Sequence, residues 1–179
     1  MKKLIPILLI CLLLTACGKT EPVETTAGST EPSAIPTETS AQAAYAVPGE
    51  AEMPANNSGV DWGLTLTAEK VKSTNCILRY TQSGGSPTGE LQTGAYYCLE
   101  VYDGEWKPAA NLHPDEEIAW NSIAYLIPMS GGPEMTEDWS FLHGPLLPGW
   151  YRIGKEIIDF RGPGDYDKAI FYGYFEITK

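Results

Sequence analysis

The sequence has little of what most enzymes use for catalysis. Its 179 residues include only two histidines. It contains no Gly-x-Ser-x-Gly, His-Glu-x-x-His, glycine-rich phosphate-loop or Cys-x-x-Cys motif. Because each of these motifs supplies a nucleophile, a metal ligand set or a phosphate cradle, their absence removes the usual sequence signatures of catalysis. We therefore predict that the protein is not an enzyme and uses no cofactor.

Positive charge is also scarce. The chain has 12 Lys and Arg against 23 Asp and Glu, which gives a net charge of −11. Nucleic-acid binding depends on neutralising phosphates with a basic patch, and no stripe of Lys or Arg is present. Anionic lipid head groups would likewise repel an acidic surface. The charge pattern predicts no nucleic-acid partner.

No apolar run reaches the roughly 18 residues of a membrane-spanning helix. The longest, from Leu4 to Leu14, follows Met1-Lys2-Lys3, an order typical of a signal peptide. It ends at Leu14-Thr15-Ala16-Cys17-Gly18, which resembles the lipobox of bacterial lipoproteins. The resemblance implies removal of residues 1–16 and lipidation of Cys17. It also implies an extracytoplasmic protein that reaches the membrane through its lipid anchor.

The residues after Cys17 are mostly Ala, Thr, Glu, Pro and Ser. Such a stretch offers too little apolar surface to offset the entropy of ordering it. We predict a disordered tether over residues 17–57. Residues 58–179 hold all five tryptophans and all four phenylalanines, enough for the core of one domain.

Short β-rich runs separated by glycine and proline clusters fill this domain, and no helical periodicity is sustained. They predict an all-β, antiparallel sandwich of about seven strands. The predicted strands are Leu64–Ala68, Cys76–Thr81, Tyr96–Tyr102, Glu105–Lys107, Trp120–Ile127, Trp150–Phe160 and Ala169–Thr178.

Two local motifs sharpen the prediction. Asp103-Gly104 lies between alternating runs and predicts a two-residue hairpin turn. Tyr151 follows Pro148-Gly149-Trp150 at the start of a predicted strand, which is the position of a tyrosine corner. In a tyrosine corner the hydroxyl donates a hydrogen bond to the backbone of the connection that precedes the strand. Ile153 replaces the second cysteine of antibody domains, so the antibody-type disulfide is absent.

The chain from about residue 63 to residue 178 resembles the immunoglobulin-like (Ig-like) domains of bacterial lipoproteins and exported proteins. The resemblance rests on the Asp103-Gly104-x-Trp106 hairpin, Trp139 with Gly144, the stretch from Leu147 to Lys155, and the closing strand Phe171–Ile177. It implies a β-sandwich with no catalytic residues, and it places Trp106, Trp139 and Tyr151 in the core. The chain departs from the family in its cysteines and in a Gly162–Asp167 insertion, for which we predict an exposed loop.

Three sets of side chains are candidates for a specific role. Cys76 and Cys98 allow either a disulfide or two separate thiols, because the exported location permits a bridge while strand alternation places them on different faces. Tyr96 and Tyr102 fall opposite the core side of their strand and can offer an aromatic binding face. Asp159, Asp165 and Asp167 supply oxygen atoms of the kind that calcium prefers, although their spacing is not that of an EF-hand.

These observations favour a membrane-anchored, surface-displayed, non-enzymatic binding or spacer module with a protein or carbohydrate ligand. Two alternatives stay open at this point. A cell-envelope hydrolase acting on wall polysaccharide would need two carboxyl groups about 5–10 Å apart in a cleft. A small-ligand or metal-sensing lipoprotein would need a ligand site that stabilises the folded state.

Overall fold

The computed structural model describes residues 45–54, 58–129 and 131–179. The predicted signal peptide, Cys17 and most of the predicted tether lie outside the described residues. Within those three ranges, no helix has the length and apolar character needed to cross a membrane.

Eight strands dominate the described residues, accompanied by a 3-10 turn at Glu50–Glu52 and one helical turn, α1, at Ser140–His143. The strands are β1 Leu64–Glu69, β2 Asn75–Gln82, β3 Glu90–Tyr102, β4 Trp106–Pro108, β5 Tyr125–Leu126, β6 Glu134–Asp138, β7 Gly149–Gly162 and β8 Asp165–Ile177.

Two antiparallel sheets form the sandwich. The first has three strands in the order β1-β2-β6. The second has the order β4-β3-β7-β8, and β5 pairs with the other end of β3. The predicted all-β, antiparallel sandwich is confirmed.

Alternation along the strands builds the core. Side chains of β1, β2, β3, β7 and β8 point alternately inward and outward, as the two-residue period of a strand requires. The inward set meets between the sheets around Trp139, which is fully buried. Its indole Nε1 donates to the Ser73 carbonyl at 2.7 Å, so the ring is buried without losing its hydrogen bond.

The tyrosine corner is present as predicted. The Tyr151 hydroxyl donates to the Leu147 carbonyl at 3.0 Å, and the ring stacks on Phe175 with a centroid distance of 5.7 Å. The bond joins the start of β7 to the crossover that precedes it. Tyr151 is thus a buried core residue with a specific backbone contact, and the predictions for Tyr151 and Trp139 as core residues both hold.

Other local predictions need correction. The predicted strand over residues 120–127 pairs only at Tyr125–Leu126, because Asn121 Oδ1 accepts from the Ile123 backbone N–H at 3.2 Å and forms a local turn instead. The strand β6 was not predicted. The hairpin loop after Tyr102 has three residues, 103–105, with Gly104 alone at a positive φ of 75°.

The predicted Gly162–Asp167 loop is also largely wrong. The strand β7 runs to Gly162 and β8 begins at Asp165, so only Pro163 and Gly164 lie between the strands. Gly164 adopts a φ of 79°, a conformation that favours glycine. The two long strands therefore form one continuous ribbon whose tip is exposed.

Candidate functional site

The outer face of the larger sheet carries a continuous aromatic surface. Tyr102, at the end of β3, contacts Trp106 on β4 with ring centroids 5.1 Å apart. The Trp106 ring in turn lies 5.6 Å from that of Tyr174 on β8. These three rings span the sheet from one edge strand to the other. Trp106 was predicted to lie in the core, but it belongs to this outer face and is half-buried.

Arg152 lies within the same surface. Its guanidinium carbon is 4.0 Å from the centroid of the Tyr172 ring and 4.8 Å from that of Trp106, so the cation is held between two aromatic faces. Its Nε pairs with the Glu100 carboxylate on the neighbouring strand. Both side chains are about one-fifth exposed, which makes this a fixed, partly buried pair. We refer to Tyr102, Trp106, Arg152, Tyr172 and Tyr174 as the aromatic face.

The two tyrosines predicted to form a binding face do not lie together. Tyr102 is part of the aromatic face, whereas Tyr96 packs edge-on against Trp120 at a centroid distance of 5.5 Å. The register of β3 shifts between Thr93 and Tyr97, and Tyr96 sits in this irregular segment. Strand alternation alone could not reveal the shift, and the partner rings come from other strands. The signal in the sequence that could have indicated the face is the alternation of Tyr172 and Tyr174 in β8.

Part of the predicted tether lies against the folded domain. Trp106 Nε1 donates to the Glu52 backbone carbonyl at 2.9 Å, and the Tyr45 hydroxyl donates to Glu176 on β8. Between these two contacts Pro48 is buried, although Val47 and Gly49 on either side are exposed. We call residues 45–54 the strap. The predicted tether includes these residues, and Trp106 and Glu176 of the sheet supply contacts that the segment itself lacks.

The three candidate calcium ligands surround an arginine instead. Arg161 Nε lies 2.8 Å from Asp165 Oδ1, and Arg161 Nη1 lies 2.9 Å from Asp167 Oδ2 and 3.7 Å from Asp159 Oδ2. The structure does bring the three carboxylates together, and the positive charge among them is a guanidinium. Within residues 45–54, 58–129 and 131–179, no group of three or more His, Cys, Asp and Glu side chains is arranged to hold a metal ion.

Asp159 has a structural role that its neighbours do not share. It is buried, and it accepts hydrogen bonds from the Thr88 backbone N–H at 2.7 Å, the Thr88 hydroxyl at 2.9 Å and the Gly89 N–H at 2.5 Å. Burial acts to raise the pKa of Asp159, but these bonds and the nearby Arg161 charge outweigh it, and the pKa is lowered. The ionised carboxylate therefore fixes the loop that leads into β3.

One ion pair lies entirely inside the sandwich. Lys155 Nζ on β7 is 2.8 Å from Glu137 Oε1 on β6, and the two side chains are 0% and 5% exposed. Lys155 also donates to the Ala95 carbonyl at 3.3 Å. Burial raises the pKa of Glu137, and the Lys155 charge acts in the opposite direction. The pair connects the two sheets but does not face solvent, so it has no access to a substrate.

Two cavities in the described part of the chain each contain a single acidic side chain. A groove of about 400 Å³ beside Leu126 and Met129 has Glu90 as its single acidic side chain. A second, of about 390 Å³ beside Tyr96, contains Glu156, which is already paired with Lys168 at 2.8 Å. A wall-polysaccharide hydrolase needs two carboxyl groups facing each other across its substrate. Neither of these cavities meets that requirement.

Both domain cysteines are free thiols, which is the second of the two alternatives left open by the sequence. Cys76 is fully buried among the core side chains. Cys98 lies above Gly154, where an added methyl group would come within 2.5 Å of its sulfur. Burial raises the pKa of Cys76 to about 12 and also raises the pKa of Cys98. Neither thiol has the lowered pKa of a reactive cysteine.

Comparison with known proteins identifies a family for most of the folded domain. The family model described as a bacterial Ig-like domain matches residues 57–171, which include all of β1 to β7 and the first half of β8. No curated protein matches the chain, and no solved structure matches it.

Proposed function

Because the chain belongs to the family of bacterial Ig-like domains, we propose that it is a membrane-anchored, surface-displayed, non-enzymatic binding module. The observation that carries the proposal is the aromatic face. Five large side chains from β3, β4, β7 and β8 form one surface on the outside of the sandwich, while the charged groups of the interior are enclosed. Rings and arginine on a rigid sheet are the residue types that dominate binding surfaces.

The anchoring part of the proposal rests on the sequence. The lipobox pattern ending at Cys17 supports lipidation of that thiol, cleavage after residue 16 and an extracytoplasmic location. Two or more acyl chains would hold the protein stably, since each buried methylene contributes about 0.8 kcal/mol. The acidic chain would gain nothing from anionic head groups, so the lipid would be its means of attachment.

A Cys17→Ser variant tests the anchor. In cells that express the full-length chain, we expect the wild-type protein in the membrane fraction, with an intact mass that shows lipid in place of residues 1–16. The variant should lose the lipid mass and appear in the soluble fraction. A Cys98→Ser variant is the matched control, because it also removes one thiol and should stay with the membrane. A Cys17→Ser protein that fractionates like the wild type would contradict the anchor.

A second experiment tests the binding role. The purified full-length chain is immobilised and incubated with solubilised cell-envelope components, in parallel with Trp106→Ala and Tyr166→Ala variants. Tyr166 is also a partly exposed ring on the same sheet, but it lies near the ribbon tip. Components retained by the wild type and by Tyr166→Ala, and lost by Trp106→Ala, would support binding through the aromatic face. Equal retention by all three proteins would contradict it.

A further inference from the structure

The strap lies beside the aromatic face. Its Glu52 main-chain carbonyl accepts from Trp106 of the face, its Tyr45 hydroxyl donates to Glu176 on β8, and Pro48 between these two contacts is buried. Its acidic side chains, Glu50 and Glu52, are exposed. The contacts described for the strap therefore come from its backbone and its apolar or aromatic groups.

The carbonyl contact has a simple physical basis. Glu52 ends the 3-10 turn Glu50–Glu52, and the last carbonyls of a helical turn have no partner within the turn. Trp106 Nε1–H donates to this carbonyl, and indole is a donor without any acceptor capacity. The pairing therefore selects a backbone carbonyl presented next to an apolar surface. Docking of proline-containing segments on aromatic side chains is a known mode of peptide recognition.

We propose that the aromatic face is a binding site for a proline-containing peptide segment of another protein that presents a turn carbonyl to Trp106, and that the strap occupies this site in cis. The inference deepens the proposed binding role and rests on it. The strap's two hydrogen bonds to the sheet, from Tyr45 and to Glu52, are both solvent-exposed, so the segment can detach without disturbing the core. A trans ligand must compete with a covalently linked segment, whose effective concentration lies in the millimolar range.

The competition makes the proposal testable with the full-length chain in detergent. A Tyr45→Ala/Pro48→Gly variant removes two strap anchors and leaves the face intact. Its binding to a fluorescent Tyr45–Pro54 peptide is measured by anisotropy. We expect binding about tenfold tighter than that of the wild type, because the cis competitor is weakened. A peptide with the Pro48→Gly change serves as the control ligand and should bind more weakly than the natural sequence.

Adding Trp106→Phe to the released variant tests the carbonyl contact. The ring remains while the N–H donor is lost, and a net hydrogen bond corresponds to a weakening of about fivefold. Tyr96→Phe in the same background is the control and should leave binding unchanged. Thermal melting of each variant verifies its fold before binding is compared.

Three outcomes would overturn the proposal. The released variant does not bind the peptide at millimolar concentration, or it binds the natural and Pro48→Gly peptides equally, or a soluble wall-glycan fragment binds the face while the peptide does not. Because these measurements use purified protein and defined ligands, their failure leaves the Cys17 and envelope-retention experiments unaffected. Failure of the peptide proposal is thus distinguishable from failure of the proposed function.

Discussion

At the scale of single residues, the most informative side chains are those whose polar atoms are buried with a defined partner. The Tyr151 corner could be predicted from Pro148-Gly149 and the strand that follows, because every residue involved is local in sequence. The Asp159 contacts could not, since its donors Thr88 and Gly89 are about 70 positions away. The same limit applies to Arg161, whose position among three carboxylates depends on how the β7–β8 ribbon closes.

A Tyr151→Phe substitution removes the corner hydrogen bond and keeps the ring. Because a buried neutral hydrogen bond contributes about 1 kcal/mol, we expect the free energy of unfolding to fall by about 1 kcal/mol. Urea denaturation measures the change. Tyr166→Phe, at an exposed ring, is the control and should stay within about 0.5 kcal/mol. Equal effects at the two positions would show that the corner bond is not stabilising.

Asp159→Asn tests the carboxylate that fixes Thr88 and Gly89. A hydrogen bond to a charged group is stronger than a neutral one, so we expect a loss of about 2 kcal/mol at pH 7. Since the pKa of Asp159 is lowered in the folded state, its contribution is present above the unfolded carboxyl pKa of about 3.9 and is lost as pH falls towards the folded value.

The difference between wild type and Asp159→Asn should therefore shrink below about pH 4, as followed by urea denaturation across a pH series. Asp167→Asn, at an exposed residue that also pairs with Arg161, is the matched control. It should change stability by less than about 1 kcal/mol at any of these pH values. A constant Asp159→Asn effect down to pH 2 would contradict the role of the ionised carboxylate.

At the scale of elements, strands with clean alternation were predicted, whereas the acidic strand β6 was not. The strands β1, β2 and β7 follow the apolar pattern closely. The strand β6, Glu134-Met-Thr-Glu-Asp, carries three acids, and its one fully buried residue is Glu137. Met135 alone gives such a strand little apolar signal. The strand is explained by Lys155 of the opposite sheet, whose charge compensates the buried Glu137 carboxylate.

The Lys155–Glu137 pair therefore yields a prediction about how the two sheets are joined. Glu137→Leu or Lys155→Met alone leaves one buried group without its partner, and we expect each to cost about 3–5 kcal/mol. The double variant should cost clearly less than the sum of the two, because neither charge then stays buried alone. A double-mutant cycle by urea denaturation measures this coupling, and additive effects would contradict it.

At the scale of the whole molecule, the sequence predicted the sandwich but not the contacts that residues 45–54 make with it. The strap was assigned to the tether because its own composition cannot order it, and composition does not reveal an aromatic face assembled from β3, β4, β7 and β8. The sandwich itself was predictable because its core depends on the alternation of apolar and polar residues, and this alternation is visible within each short segment of the sequence.

The two free thiols report on the opening of the whole sandwich. At pH 8, burial and raised pKa values should make both cysteines slow to react with a maleimide or an aromatic disulfide. Cys98 is partly exposed and should be modified before Cys76, which should react only as the sheets separate. Peptide mass mapping assigns the labelled residue at each time. Rapid labelling of Cys76 under native conditions would contradict the closed core.

The strap also determines how the domain responds to tension. Any pull applied from the N-terminal side reaches Tyr45 first and then Glu52, well before it reaches β1. Those two contacts would break one after the other, so the first extension under load would be the peeling of ten residues at low force. The hydrogen-bond ladders of the sandwich would bear load only afterwards. Detachment of the strap would thus lengthen the molecule at low force while the sandwich stays folded.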